Sequence, residues 1–134
     1  MFRSNSNILN QRQREQEQAN EERFLAIQIE DPEGIENLSE IVKVKGIDML
    51  FFGPGDYSHG IGLTGQLDHP EIRKAREKVA SAAISNGKFA GTVGSADNYK
   101  ELAEMGYKFL NLGADVAVMR KGLKEISDKL SPET

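Results

Sequence analysis

Four short apolar runs, Phe24 to Ile29, Ile47 to Phe52, Lys88 to Val93 and Tyr107 to Leu112, alternate with stretches of helical period, and this alternation constrains the fold more than any other feature. Runs apolar throughout and closed by a glycine or an acidic residue have the pattern of strands buried on both faces. After them Ile35, Leu38 and Ile41, then Ile72, Ala75, Val79 and Ala82, then Val116, Met119, Leu123, Ile126 and Leu130 recur at spacings of three and four, which puts each set on one helix face. Asp31 before Pro32, Asp68 ahead of Pro70, and Ser95 or Asp97 before Tyr99 are the expected N-caps. Strand–helix units in series predict an α/β fold with a parallel sheet covered by helices. Right-handed crossovers bring the carboxyl ends of all the strands to one edge, where ligands of such sheets bind. The residues to weigh for function are therefore Glu30, Gly53 to Ser58, Gly94 with Ser95, and Gly113 with Asp115.

Residues 1–22 are polar and rich in Gln, Glu, Asn and Arg, a lead-in expected to be helical or disordered, with the folded unit over 23–134. The absence of cysteine removes thiolate metal sites, so a metal would be held by oxygen or imidazole. A formal net charge of -4 without basic blocks speaks against a nucleic-acid surface, while a bound divalent cation would still admit an anionic substrate. No run approaches the ~18 apolar residues of a membrane span and no apolar leader opens the chain, so a cytoplasmic address is expected.

Two glycine clusters compete for the ligand. Gly60, Gly62 and Gly65 spell G-x-G-x-x-G, but a dinucleotide fingerprint needs its first glycine at a strand end and its third in a helix's opening turn. Here the strand ends near Phe52 and the next helix is expected near Pro70, so the cluster reads as a flexible loop. Gly53, Pro54, Gly55 and Asp56 stand directly at a strand's carboxyl end, as a tight turn whose amides at 55 and 56 can face an anion. Glu30 holds the matching place on the preceding strand. With neighbouring strands ~4.8 Å apart, Glu30 and Asp56 can converge on one ion, and two carboxylates completed by water and substrate oxygens suit Mg²⁺ or Mn²⁺. Asp31 already serves as a cap, which leaves Glu30 without a capping reason.

The segments QIEDPEGIENLSEIVKVKGIDMLFFGPGDYS, GQLDHPE, GKFAGTVGS and MGYKFLNLGADV, in this order and spacing, resemble the C-terminal half of the HpcH/HpaI aldolase and citrate lyase family, on its metal-dependent class II pyruvate aldolase branch. The resemblance runs from about Glu17 to Met119. It implies the last four units of a TIM (β/α)8 barrel, with Glu30 and Asp56 as the protein ligands of a divalent metal. It further implies that Gly53, Pro54, Gly55 and Asp56 receive the carboxylate of a 2-oxo acid, with Gln28 nearby. The implied activity is that of a carbon–carbon lyase splitting 4-hydroxy-2-oxo acids into pyruvate and an aldehyde. The family's substrate arginine and general-base histidine belong to its first half, which no segment here matches.

His59, three residues after Asp56, is within reach as a substitute base, though a solvated loop histidine is the ordinary role at such a position. His69 in DHPE reads as structural, and neither histidine has a nucleophile in a suitable turn. Ser95 and Asp115 are explained by capping, and Tyr57, Phe51 and Phe52 by packing. Three readings stand: a metal-dependent aldolase, a binding module that keeps the metal and oxo-acid site without turnover, and a structural fragment. Open strand edges and an inner face expected to carry Leu25, Ile27, Leu50 and Phe52 point to a homo-oligomer.

Overall fold

In the computed structural model, the residues described are Arg14 and 22–130, so the lead-in over residues 1–22 lies outside them apart from Arg14 and Glu22. Each apolar run holds one strand: β1 (Ala26–Ile29), β2 (Met49–Phe52), β3 (Phe89–Val93) and β4 (Phe109–Asn111). They pair in parallel in the order β1-β2-β3-β4, with Ile29 opposite Phe52, Phe52 opposite Thr92, and Val93 opposite Asn111. All carboxyl ends share one edge, as the alternation predicts.

The connections are α1 (Pro32–Glu36), α2 (Leu38–Ile41), α3 (Pro54–Gly60), α4 (Pro70–Ser85), α5 (Tyr99–Glu104) and α6 (Asp115–Leu130). Asp31 caps α1, its Oδ1 accepting the Gly34 amide at 2.5 Å, and Pro32 fills the first turn. Two expected caps move by a residue. His69, not Asp68, caps α4, its Nδ1 accepting the Glu71 amide at 3.2 Å. Asn98 precedes α5, while Ser95 and Asp97 form the turn before it: the Ser95 amide donates to Asn98 Oδ1 and the Asp97 amide to Ser95 Oγ. The single face expected for Ile35, Leu38 and Ile41 is split between two short helices that meet at Asn37, yet Ile35 and Leu38 are both buried.

One face of the sheet carries the core. Leu50, Phe52, Ala90 and Thr92 are fully buried beneath α4, which turns Ile72, Ala75, Val79, Ala80 and Ala83 inward. The other face is open: Gln28, Phe89 and Phe109 are exposed on it, and the side chains of Met49 and Phe51 crowd over Gly91, where a Cβ would stand 2.8 Å from each. The expected inner face is therefore corrected by one residue, because Leu50 and Phe52 lie on the helix side and the alternate set, Gln28, Met49 and Phe51, faces the opening. The apolar stripe of α6 is also not buried: Val116, Met119, Leu123, Ile126 and Leu130 are 56–78% exposed.

Candidate functional site

The segment after β2 is a helix rather than an isolated turn. Gly53 precedes α3, Pro54 fills its first position, Gly55 and Asp56 follow, and the helical bond from the Tyr57 amide to Gly53 O measures 3.1 Å. Proline at a first position gives up an amide that no helical carbonyl could accept. The amides of Gly55 and Asp56 are likewise first-turn donors without a helical acceptor, and they carry the positive end of the helix dipole. Tyr57 and Pro54 anchor this short helix: both are buried, and the Tyr57 ring lies 5.4 Å from that of Phe52. Burial, and to a lesser degree Glu71, raises the Tyr57 phenol above its ordinary range.

Glu30 comes to the same place from β1. A Cβ on Gly53 would stand 2.9 Å from Glu30 Cβ, 3.1 Å from Glu30 Oε2 and 3.3 Å from Gln28 Nε2, so the Glu30 carboxylate and the Gln28 amide lie directly over the start of α3. Gln28 Nε2 donates to Glu30 Oε2. Gln28, Glu30, Gly53 and Asp56 thus gather at the carboxyl edge, Asp56 exposed and Glu30 half-buried. Around Gly55 the space is open, with nothing within 4 Å of a Cβ built there. Packing therefore gives no reason for glycine at 55, whereas at 53 it does.

Among the described residues no three His, Asp or Glu side chains are grouped to hold an ion by themselves. Two hard oxygen donors over a helix start are still the usual protein share of a Mg²⁺ or Mn²⁺ site, the remainder coming from water and substrate. The donor set fits such a cation in number and chemistry.

His59 lies exposed in the last turn of α3, its Nδ1 3.1 Å from Thr64 Oγ1, so the ring is engaged with its own loop. The second glycine cluster is explained by backbone and packing alone. A Cβ on Gly60 would strike Pro32 Cδ at 2.9 Å, and Gly62 and Gly65 adopt φ of 73° and 77°, which favour glycine. Ser58, fully buried, ties the two clusters together: its Oγ donates to Gly55 O at 2.7 Å and accepts the Gly65 amide at 3.2 Å. Asp115 is the first residue of α6 rather than a cap before it, and its Oδ1 accepts the adjacent Val116 amide at 2.7 Å.

Sequence reasoning passed over Arg76, which is buried on the sheet side of α4. Its spacing from Ile72, Val79 and Ala83 places it on the apolar face, and that was the available signal. A cleft of about 180 Å³ opens beside it, lined by Asp68, Arg73, Asn98 and Glu101 among others; neither Glu30 nor Asp56 lines it. Among the described residues no helix is long and apolar enough to cross a membrane.

The family model for HpcH/HpaI aldolase/citrate lyase matches residues 2–122, a longer stretch than Glu17 to Met119 and one that takes in the first dozen residues as well. The 5-keto-4-deoxy-D-glucarate aldolase of Escherichia fergusonii is 30% identical over 112 residues, which make up 83% of this chain and 44% of that protein. The hydroxypyruvate/pyruvate aldolase of Pseudomonas aeruginosa is 32% identical over 112 residues, 83% of this chain and 42% of that one. The solved HpcH/HpaI aldolase from Desulfitobacterium hafniense DCB-2 superposes with a TM-score of 0.75 at 34% identity, covering 87% of this chain and 46% of that one. The chain spans less than half the length of these relatives, and its four parallel units correspond to part of their barrel.

Proposed function

Because the chain belongs to the HpcH/HpaI aldolase/citrate lyase family, we propose that its carboxyl edge is the metal and 2-oxo acid site of a class II aldolase that releases pyruvate and an aldehyde from a 4-hydroxy-2-oxo acid. The observation that carries this reading is the place of Glu30 directly over Gly53, whose missing side chain lets Glu30 in, with Asp56 in the first turn of the helix that Gly53 precedes. Glu30 and Asp56 would hold Mg²⁺ or Mn²⁺. When bound, such a cation withdraws charge from the keto and carboxylate oxygens of a 2-oxo acid and so eases making or breaking the C3–C4 bond.

The chain's own residues bind and orient. Gln28 donates to Glu30 Oε2 and fixes how that carboxylate faces the edge. The first-turn amides of Gly55 and Asp56 offer two donors to the substrate carboxylate, in open space where glycine leaves no side chain to obstruct it. Proton transfer is assigned to the part of the family's barrel that this chain does not span, since the histidine nearest the site is engaged with Thr64. That engagement also favours a second reading, a stretch of barrel that binds metal and oxo acid without turning substrate over.

Calorimetric titration with Mn²⁺ tests the assignment. Binding is expected in the wild-type chain and in Asp31→Ala, whose carboxylate is occupied with the Gly34 amide, and is expected to vanish in Glu30→Ala and Asp56→Ala. Equal affinity in all four would sink it. Exchange of pyruvate methyl protons with deuterated water then separates the two readings: little exchange beyond metal alone supports binding without turnover. Fast exchange abolished by His59→Ala would instead make His59 the base.

A further inference from the structure

Among the described residues Arg76 is the buried charged side chain, 6% exposed, and none of their carboxylates forms an ion pair with it. Asp68 and Glu101 act on it only from across the cleft, and a buried cation without a carboxylate in contact is expensive to keep, so what its donors hold is informative. Nη1 donates to Val93 O at 3.0 Å and reaches Thr92 Oγ1 at 3.4 Å. Thr92, fully buried, donates its hydroxyl to Phe52 O at 2.9 Å. The guanidinium carbon also lies 6.0 Å from the centroid of the Phe52 ring. The backbone of Arg76 is pinned in turn, its carbonyl accepting the Tyr107 hydroxyl at 2.8 Å.

The Phe52 carbonyl and the Gly53 N–H belong to one planar peptide unit. Thr92 takes the carbonyl from the β3 side, and Ile29 O accepts the N–H from the β1 side at 2.9 Å. With both ends tied, the plane is fixed, and it sets the direction in which the chain leaves β2 for Gly55 and Asp56. We propose that Arg76 and Thr92 are positioning residues for the carboxyl-edge site, clamping the Phe52–Gly53 peptide so that Gly53 keeps its place beneath Glu30 and the chain leaves β2 in the direction that carries Asp56 to the same edge. What the site binds rests on the function proposed above; the clamp itself rests on these hydrogen bonds.

The test is amide hydrogen exchange together with Mn²⁺ titration on the full chain, for wild type, Thr92→Val, Thr92→Ser and Arg76→Met. Thr92→Val keeps the shape of the side chain and retains the test should Arg76→Met fail to fold. Thr92→Val and Arg76→Met are expected to speed exchange at the Gly53 and Tyr57 amides roughly tenfold or more. The Phe89 amide, bonded to Asp48 O at the opposite edge, is expected to keep its wild-type rate. Mn²⁺ affinity is expected to fall in step, and Thr92→Ser to restore both. Exchange that rises equally at Phe89 and Gly53 would reduce the pair to general stability, and unchanged Mn²⁺ affinity in Thr92→Val would overturn the positioning role. A wild-type chain that binds no Mn²⁺ yet shows the localised exchange would overturn the functional reading while supporting the clamp.

Discussion

Gly53 lies so close to Glu30 that a methyl group on it would stand 2.9 Å from Glu30 Cβ and 3.1 Å from Oε2. A carboxylate and the start of a helix share one space, and glycine keeps that space open for both. Gly53→Ala is expected to displace Glu30, destabilise the fold by about 1–3 kcal/mol as overpacking does, and abolish Mn²⁺ binding. Gly55→Ala should behave in the opposite way. Its φ is not positive and its Cβ would meet nothing, so the helix should gain about 0.5–1 kcal/mol. In that variant Mn²⁺ binding should persist, while pyruvate binding to the Mn²⁺-loaded chain weakens roughly tenfold. Thermal melts and paired titrations check both, and a Gly53→Ala chain with wild-type Mn²⁺ affinity would remove Glu30 as a ligand.

Ser58 links the site to the loop that follows it, with one bond to Gly55 O and one from the Gly65 amide. Ser58→Ala removes one bond to Gly55 O and leaves the exposed Gly65 amide to water, a loss of about 0.5–1.5 kcal/mol. The expected signature is a destabilised chain whose Gly65 amide exchanges faster than wild type. If its exchange is unchanged, the loop does not depend on Ser58.

Burial pushes the Tyr107 phenol well above its ordinary value of 10.0, against a weaker opposing pull from Arg76. The neutral form is thus favoured more in the folded chain than in the unfolded one. The resulting stability is fully present below the unfolded value of about 10 and is lost as pH rises from there toward the higher folded value. Denaturant unfolding followed from pH 8 to 11 should therefore show stability falling above about 10. Tyr107→Phe should flatten that fall, and at neutral pH should lower stability by about 0.5–1.5 kcal/mol for the lost bond to Arg76 O. Tyr57, raised in the same direction, remains in the variant and accounts for some residual slope. An unaltered slope would show that Tyr107 is not the group that titrates.

The order and parallel sense of the strands were legible because each apolar run is closed by a turn signal and followed by a helical stretch. The faces were not. In β2 both faces are apolar, Met49 and Phe51 on one and Leu50 and Phe52 on the other, so alternation alone cannot choose between them. The polar residue Gln28, paired with Phe51, could have done so, since a side chain meant for the ligand edge cannot share a face with the core. α3 was hidden for a different reason. PGDYSHG has two glycines, a proline and no strong helix former, and the helix exists because Tyr57 and Pro54 pack inward and Gly60 fits against Pro32. That Glu30 and the segment from Gly53 to Asp56 lie at one sheet edge was legible from strand adjacency, whereas the crowding of Glu30 on Gly53 needs coordinates. Arg76 was passed over because IRKAREK reads as a solvated charged stretch until its spacing from Ile72 and Val79 is counted.

The apolar stripe of α6 calls for a cover. Val116, Met119, Leu123, Ile126 and Leu130 fall on one face of an α-helix and are all mostly exposed. Burying such a side chain is worth about 1.5–3 kcal/mol, so five in a row are a strong drive to associate. A second copy of the chain brings a matching stripe, and beside it Lys121 on one copy can face Glu125 on the other when the helices run antiparallel, Lys124 being paired with Asp128 of its own helix. Sedimentation at micromolar concentration is expected to give a homo-oligomer for the wild type and a smaller species for Leu123→Asp combined with Ile126→Asp, with helix content by circular dichroism little changed. Association that survives both substitutions would place the contact on the open sheet face, at Phe89 and Phe109. A wild-type chain that sediments as a monomer would mean that neither surface is covered by a second copy.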